Sequence, residues 1–436
     1  MKKILFLLIL ASGAAFGQQR DLKSKSAEVL KNFTESKFAA VMGMVDEHVF
    51  TNMDSTHLRM TWEQLSKSAG KYIKTDSVYE GTQPPFAVVM QRLIFEKRKI
   101  NMRTIWGDND KIKGLYFLPV DERVPYKSPS YVDTSKYVEK KTLVNNESFH
   151  LPGTLTVPKS PGKHPAVILI QGAGATDRDE TMGSTKIFRD LANGLATNGI
   201  VVLRYEKRYR VFKSKLEHQK VWTLRDETMD DVPSALKILK ADPAVDTNKI
   251  FLIGHGLGGY LLPRIAKENP SVKGLILLAA HARNLEDVYA AQSLYLATET
   301  MKDENARKHF TDSVTAVQEK IRKFTNDNYN DSTLYFQSPA AYWIDLHNHD
   351  ALTAAKASSL PMLLQFGVRD FQTTMEDISL WQKVLKDKKD ADFKMYPKLN
   401  HFFMAGEGKS LPAEYEKPGN VDFSVISDIA AWIAGK

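Results

Sequence analysis

A short apolar run that breaks into a glycine-rich turn is the part of the sequence most closely tied to chemistry. Residues 249–259 read Lys-Ile-Phe-Leu-Ile-Gly-His-Gly-Leu-Gly-Gly. The pattern Gly-x-Ser-x-Gly between a strand and a helix forms a nucleophile elbow, which presents the serine hydroxyl for attack on a carbonyl carbon. Here Gly256 holds the position of that serine. The frame of an acyl-transfer site is therefore present, while its attacking atom is absent.

Two later turns could carry the partners of such a nucleophile. Asp370 follows a predicted strand that ends at Phe366, and His401 follows one that ends at Tyr396. Acyl transfer needs a nucleophile, a base that takes its proton, an acid that orients the base, and donors for the oxyanion. The chain order elbow, Asp, His is that of α/β-hydrolases. The pattern predicts Asp370 as the orienting acid and His401 as the base.

The elements that must position these residues alternate between strand and helix from Pro165 onward. A continuous apolar run such as 166–170 is typical of a strand buried on both faces. The alternation predicts an α/β fold with a doubly wound, mostly parallel sheet. Between Asn284 and Asp345 it gives way to about 60 residues of charged helix, too long for a simple connection, which we expect to form a helical cap. Further strands are predicted at 138–142, 148–151, 154–157, 200–203, 274–280, 361–366 and 392–396.

The first part of the chain has a different pattern. Residues 22–70 carry apolar residues at helical spacing, and residues 72–118 are rich in the β-branched and aromatic residues typical of strands. Helices followed by an antiparallel meander predict a small α+β domain over residues 18–118. Residues 119–137 contain Pro, Ser and Asp without periodicity, so they are the predicted linker to a second domain over residues 138–436.

The first 17 residues have the pattern of a secretory signal peptide. Lys2 and Lys3 form a positive n-region, residues 4–11 an apolar h-region, and Ala15 and Gly17 supply the small residues of a cleavage site. We expect removal of residues 1–17 and a mature protein without a membrane span, located in the periplasm or outside the cell. The sequence has no cysteine, which excludes disulfides, thiolate metal sites and a cysteine nucleophile.

The charge pattern argues against a nucleic-acid partner. The formal net charge is +8, and most of the basic residues are interspersed with acids. One dense basic stretch, residues 204–215, combines Arg and Lys with Tyr and Phe, a composition that could suggest nucleic acid. A single short patch in an exported protein counts against that interpretation. We interpret the stretch as a solvated rim near the site, able to meet an anionic ligand.

Several spaced motifs together resemble secreted α/β-hydrolases of the dienelactone-hydrolase and acyl-peptidase type of carboxylesterase. The resemblance covers about residues 138–436 and implies hydrolysis of short acyl esters, with a small-molecule ester as partner and with no cofactor or metal. It implies that Gly256 occupies the nucleophile position, and that the backbone N–H groups of Ala173 and Leu257 are the oxyanion donors. The motifs are Gly153-Thr154-Leu155, Gln171-Gly172-Ala173-Gly174, Asp177-Arg178-Asp179-Glu180, the residues 204–208, the elbow, the residues 367–372 and Asn400-His401.

The small domain resembles an export-associated domain of unknown function, similar to the nuclear-transport-factor cone, that often precedes secreted hydrolases. No catalytic motif accompanies it, and a structural or docking role is favoured over ligand binding. A protein partner cannot be named from the sequence.

Three neighbouring motifs depart from the family pattern. The oxyanion loop begins with Gln171 where His is usual, residues 209–212 are bulky and basic where Gly is usual, and Gly256 replaces Ser. Together they favour a natural loss of activity. Two functions remain open: an exported esterase-type hydrolase with impaired catalysis, or a non-catalytic protein that binds an acyl or carbohydrate-ester ligand or a partner protein.

Other polar residues near these motifs have simpler interpretations. His255 is interpreted as a packed residue of the elbow. The run Asp177, Arg178 and Asp179 is interpreted as an ion-pair network that fixes a loop, since no histidine cluster accompanies it as in a metal site.

Overall fold

Contacts within the computed structural model divide the chain into two units, Met1–Glu122 and Arg123–Lys436. The predicted signal segment, residues 1–17, lies outside the described residues. None of the helices within the described part of the chain combines the length and apolar character needed to cross a bilayer. The structure describes residues 20–48, 54–83, 85–120, 124–146 and 149–436.

The first unit packs three helices against a four-stranded antiparallel meander. Asp54 caps the third helix, because its side chain accepts hydrogen bonds from the Thr56 and His57 amides. Every second residue of the third strand is buried, as expected when one face of a sheet covers a core. The elements are α1 (Leu22–Thr34), α2 (Phe38–Met44), α3 (Ser55–Ala69), β1 (Tyr72–Gln83), β2 (Phe86–Phe95), β3 (Lys99–Trp106) and β4 (Ile112–Pro119).

The second unit is built on an eight-stranded sheet with the order β14-β13-β12-β11-β7-β10-β6-β5. All neighbouring pairs are parallel except β10 with β6 and β6 with β5. The predicted doubly wound, mostly parallel sheet is therefore confirmed. The strands are β5 (Tyr137–Asn146), β6 (Phe149–Pro158), β7 (His164–Ile170), β8 (Thr181–Met182), β9 (Thr185–Lys186), β10 (Val201–Tyr205), β11 (Val245–His255), β12 (Gly274–Leu278), β13 (Met362–Gly367) and β14 (Ala391–Tyr396); β8 and β9 form a separate small hairpin.

Helices cover both faces of this sheet and bury its central strands. Two apolar clusters result, one against each face, and the β7 and β12 side chains alternate between them. The helices are α4 (Ile187–Thr197), α5 (Arg208–Val211), α6 (Lys213–His218), α7 (Leu224–Glu227), α8 (Val232–Ala241), α9 (Leu257–Glu268), α10 (Leu285–Thr300), α11 (Glu304–Arg322), α12 (Ala340–His347), α13 (Ala351–Ala357), α14 (Met375–Leu385) and α15 (Phe423–Ala434).

One strand prediction was wrong. Residues 148–151 and 154–157 were expected to form two strands, because Pro152 and Gly153 separate them. Residues 149–158 form the single strand β6, and residue 148 lies outside the described residues. In chain order, Gly153 is the first residue of β6 that pairs with β10. Pro152 precedes it, so the missing N–H of Pro152 does not interrupt the pairing of β6 with β10.

The segment expected to form a cap contains α10, α11 and α12. A three-residue connection, 301–303, joins α10 to α11, and the two helices pack together. The α10 residues Leu285, Val288 and Tyr289 line the same cavity as Gly256. This helix therefore covers the turn at the carboxyl end of β11.

Candidate active site

The turn between β11 and α9 has the geometry of a nucleophile elbow. Gly256 connects the two elements with φ 51° and ψ −117°, a conformation that residues with a Cβ seldom adopt. A Cβ at Gly254 would lie 2.5 Å from the Gly258 carbonyl, and one at Gly258 would lie 2.3 Å from the Ile170 oxygen. The flanking glycines are required for this tight crossing.

Gly256 itself is under no such packing constraint. A Cβ built on it meets only the His401 ring, at 3.7 Å from Nε2 and 3.9 Å from Cε1. These distances are ordinary van der Waals contacts. The site thus has room for a side chain at the central position, directed toward the histidine.

His401 and Asp370 are brought together as the sequence predicted. The Nδ1 of His401 lies 2.6 Å from Oδ2 of Asp370. The other carboxylate oxygen accepts hydrogen bonds from the amides of Gln372 at 2.6 Å and Thr373 at 3.1 Å. The carboxylate is an acceptor, so Nδ1 carries the ring proton and Nε2 is left as the basic nitrogen. This nitrogen is the atom that faces Gly256.

The loop after β7 is fixed by buried charged groups on both sides of Ala173. The Gly172 amide donates to Oε1 of Glu180 at 2.7 Å, and the Gly174 amide donates to Oε1 of Glu227 at 2.9 Å. Within the described residues the Ala173 amide makes no hydrogen bond of its own. The Gly172 and Gly174 amides therefore already have acceptors, and the Ala173 amide between them is available to a ligand.

The Leu257 amide is the second predicted oxyanion donor. Leu257 is the first residue of α9, where an amide has no acceptor within the helix and the helix dipole is positive. In the part of the chain that the structure describes, this amide also has no other acceptor. Both predicted donors thus lie in the turns beside Gly256, and both line the same cavity.

Gln171 and Lys207 complete the support of the loop. Gln171 donates from Nε2 to the Tyr205 carbonyl at 2.5 Å, so it acts in positioning and does not face the reacting groups. Lys207 is 2% exposed and donates to the Gly172 carbonyl, while its ammonium group lies 3.0 Å from Glu227. The role of Lys207 was missed in the sequence, because its partners lie in distant parts of the chain.

His255 links the three loops of the site. Its Nε2 lies 3.0 Å from the His401 carbonyl, and its Nδ1 lies 3.1 Å from Oε2 of Glu180. Burial opposes a charge on His255, but the Glu180 carboxylate, the His401 carbonyl and the Asp370 carboxylate together outweigh it and raise the pKa of the histidine. His255 is buried and packed, as predicted, and it also connects the oxyanion loop to the base.

His281 is a site residue that the sequence did not reveal. It follows β12, its Nδ1 donates to the Arg283 carbonyl at 2.8 Å, and its ring stacks on Tyr260 at 4.5 Å. Burial lowers the pKa of His281 to about 4, so the ring is neutral at ordinary pH. Its Nε2 is buried and has no partner among the described residues, and its side chain lines the cavity at Gly256.

These residues enclose a cavity of about 220 Å³. Its polar end holds His401 and the turn residues Ala173 and Leu257 on either side of Gly256. Its remaining lining is largely apolar and includes Met182, Leu285, Val288, Tyr289, Phe402 and Tyr415. The cavity can hold a carbonyl group near the two amides, with a nucleophile or water at Gly256 between its carbon and Nε2.

The interpretation of residues 204–215 as a solvated rim was wrong for its first part. Arg204, Lys207 and Arg208 are each less than 5% exposed, and each pairs with a carboxylate. The acidic partners come from strands and loops that are remote in the sequence, which composition alone does not show. The pairs are Arg204 with Glu139 and Asp179, Lys207 with Glu227, and Arg208 with Asp231.

The acidic run 177–179 takes part in ion pairs. Arg178 pairs with Glu206 at 2.7 Å, and Asp179 pairs with Lys186 and Arg204, each at 2.9 Å. Among the described residues no group of three His, Asp or Glu side chains is arranged to hold a metal ion.

The parallel sheet, the elbow and the Asp–His pair after successive strands define the protein as an α/β-hydrolase. The family model described as "Serine aminopeptidase, S33" matches residues 181–407, and this chain belongs to that family. A domain family of unknown function, DUF3887, matches residues 26–115 in the first unit.

The chain is also similar to an esterase in sequence and to two solved structures in fold. It is 32% identical over 429 residues to the esterase EstD of Thermotoga maritima, and the match covers 98% of both chains. Among solved structures, Est1E from Butyrivibrio proteoclasticus has a TM-score of 0.44 at 16% identity, covering 68% of this chain and 99% of that one. A hyperthermophilic esterase from Pyrobaculum calidifontis has a TM-score of 0.43 at 16% identity, covering 68% and 85%.

Proposed function

We propose that the protein is an exported hydrolase of the carboxylesterase class that acts on acyl esters, with catalysis limited by Gly256. The observation that carries this proposal is the orientation of His401. Its Nδ1 is bound to Asp370, and its Nε2 faces the point at which a nucleophile would stand. The amides of Ala173 and Leu257, which make no hydrogen bond within the described residues, supply the oxyanion donors.

Without a serine, His401 can act on water. Its Nε2 takes one proton of a water molecule as the water oxygen attacks the ester carbonyl carbon, and the amides of Ala173 and Leu257 bind the oxyanion that forms. When the ester C–O bond breaks, the same proton passes from His401 to the departing alcohol. Loss of covalent catalysis is costly, and sites of this type retain only about 10³–10⁴ over the uncatalysed rate without their nucleophile.

The charges around the site favour esters over peptides with a free amino terminus. An ammonium group in the substrate needs an unpaired carboxylate in the cleft. Glu180 is already bound to the Gly172 amide and paired with His255. Glu227 is likewise compensated, by Lys207 at 3.0 Å. Neither buried carboxylate is free to recognise an ammonium group.

Residues 1–17 support the exported location in this proposal. A positive start, an apolar core and small residues before residue 18 are what signal peptidase requires. Amino-terminal sequencing of the protein from an exporting host should begin at Gln18. A mature chain that still begins at Met1 in the cytoplasm would refute export.

The substitution at Gly256 also supports a second candidate, a non-catalytic protein that uses the cleft for binding. Hydrolysis of p-nitrophenyl acetate and butyrate by the purified protein decides between the two, with His401→Ala as the blank. Turnover above that blank is expected if His401 drives attack by water. Equal rates in both proteins would contradict the hydrolase proposal and favour a binding role.

A further inference from the structure

A second cavity of about 420 Å³ adjoins the one at Gly256. The two share Ala173, Tyr289 and Gln292 in their walls. We propose that this second cavity binds the acyl group of the ester, and that it selects acyl groups that carry no positive charge and contain a ring with polar substituents. The inference rests on the proposed ester hydrolysis and names its substrate class.

The position of His401 decides which part of the ester enters the second cavity. The base must return its proton to the alcohol oxygen, so the alcohol lies on the side of His401, in the first cavity. The carbonyl oxygen is directed to the Ala173 amide. The second cavity opens beyond Ala173, is lined by Gly174 and Ala175, and does not include His401. The remaining substituent of the carbonyl carbon, the acyl group, is the one directed there.

Aromatic side chains form the walls of this cavity. The Trp222 ring lies 4.8 Å from the Tyr209 ring and 5.0 Å from the Tyr342 ring, measured between centroids. Tyr289 and Phe336 make an edge-to-face pair at 5.7 Å on the side of the cap. A planar ring between such walls can stack on them or meet them edge to face, and it gains more from these contacts than from the burial of area alone.

Polar groups between the rings are available to a ligand. The side chains of Gln292, Ser293 and Gln337 line the cavity and make no hydrogen bond within the described ranges of the chain. Phe336 and Gln337 have φ values of 43° and 68°, an uncommon backbone conformation for residues other than glycine. Such strained positions are concentrated at ligand sites. Hydroxyl or amide substituents on the bound ring can therefore be satisfied.

The charges of the cavity exclude a cationic acyl group. Glu227 lies in the wall, but it accepts from the Gly174 amide and from the Tyr342 hydroxyl at 2.9 Å each, in addition to its pairing with Lys207. An acetyl group would leave most of this volume unused, because ligand sites of 300–1,000 Å³ typically enclose molecules several times larger.

Binding to the whole chain, with Gly256 unchanged, tests the inference without any need for turnover. Isothermal titration calorimetry with 4-hydroxyphenylacetamide should show affinity about tenfold or more above that for cyclohexylacetamide, which has the size but neither the π system nor the hydroxyl. Acetamide and 4-(aminomethyl)phenylacetamide should bind weakly. Equal affinity for the hydroxyphenyl and cyclohexyl compounds would overturn the assignment.

Substitutions on α10 show where the compound binds. Of the two cavities, Ser293 lines the second and not the first, so Ser293→Trp fills the second cavity and should abolish binding. Thr298 is exposed on the same helix, so Thr298→Trp is the matched control for a bulky addition and should bind normally. Unchanged binding to Ser293→Trp would place the ligand elsewhere and refute the inference.

A rate measurement separates failure of this inference from failure of the proposed function. In the Gly256→Ser variant, kcat/KM for methyl 4-hydroxyphenylacetate should exceed that for methyl acetate by about tenfold or more, and Ser293→Trp should reduce this ratio. Turnover of both esters at similar kcat/KM would leave the esterase proposal standing and refute the acyl-site inference. Selective binding in the calorimeter without turnover of either ester would support the acyl-site inference and contradict hydrolysis.

Discussion

Restoration of the nucleophile by Gly256→Ser is the most informative perturbation of this site. A Cβ at residue 256 lies 3.7 Å from Nε2 of His401 and touches no other side chain. A hydroxyl on that Cβ, turned toward the ring, comes within the hydrogen-bond distance of about 2.6–3.2 Å that a nucleophile and its base need. His401 is already oriented by Asp370 at 2.6 Å. The variant should therefore complete the triad without further changes.

The expected gain in turnover follows from the cost of losing such a nucleophile. In a serine protease, removal of the serine lowers kcat by about 10⁶, and about 10³–10⁴ over water remains. The other two departures from the family pattern are at Gln171 and in residues 209–212. They affect the oxyanion loop and a wall of the second cavity, but they do not affect His401. We expect Gly256→Ser to raise kcat for p-nitrophenyl butyrate by at least about 10³, within the bound of about 10⁶.

The same substitution should lower stability. A side chain at φ 51° and ψ −117° is strained, at a cost of about 1–3 kcal/mol. No steric clash adds to the cost of this backbone strain, since the atoms nearest to the added Cβ are those of the His401 ring, at 3.7 Å and 3.9 Å. Chemical unfolding should thus show a loss of about 1–3 kcal/mol together with the gain in activity.

Gly256→Ala is the matched control, because it has the same backbone strain and no hydroxyl. Only the serine variant should show a burst of p-nitrophenol and react with a fluorophosphonate. If Gly256→Ser folds with the expected loss of stability and yet turns over no faster than Gly256→Ala, the orientation of His401 is not productive. That result would refute the reasoning from the structure.

Three further outcomes test separate parts of the structure. In the Gly256→Ser background, His401→Ala should lower kcat by about 10³ or more, and a smaller effect would identify another base. Gly258→Ala places a Cβ 2.3 Å from the Ile170 oxygen, so urea unfolding should show a loss of about 3 kcal/mol or more beyond that of Gly256→Ala. The neutral, buried His281 has a pKa lowered to about 4, whereas the unfolded chain binds this proton near its ordinary value. Its contribution to stability is therefore complete above that ordinary value and is lost as the pH falls toward about 4. The contribution of His281 to the unfolding free energy should drop by about 2 kcal/mol between about pH 7 and about pH 5, so the wild-type protein should lose about that much more than His281→Leu over this range.

The sequence predicted those features that depend on neighbouring residues. The apolar run before Gly256 marked a buried strand, and the turns at Asp370 and His401 followed two more. In a parallel sheet the carboxyl ends of neighbouring strands lie at one edge. The order of these turns along the chain was therefore enough to predict that Asp370 and His401 lie close together.

Features that depend on distant pairing could not be predicted. Lys207 belongs to a basic stretch, and only the fold shows that Glu227 neutralises it in the interior. His281 stands alone in the sequence after β12, without a motif. The second cavity is formed by α5, α6, α7 and the cap, whose packing no local periodicity describes.

Some residues of this site are required by the fold, and others are not required for stability. Gly254 and Gly258 are required by the close crossing of the chain, so an inert protein of this fold would need them too. Asp370 and His401 are different, because a buried ionisable pair contributes little to stability and is replaceable by apolar residues. The unbonded amides of Ala173 and Leu257 also cost free energy unless a ligand or water accepts from them. The groups that stability does not require are those that would meet an ester carbonyl, which supports the proposed action of the cleft on an ester despite Gly256.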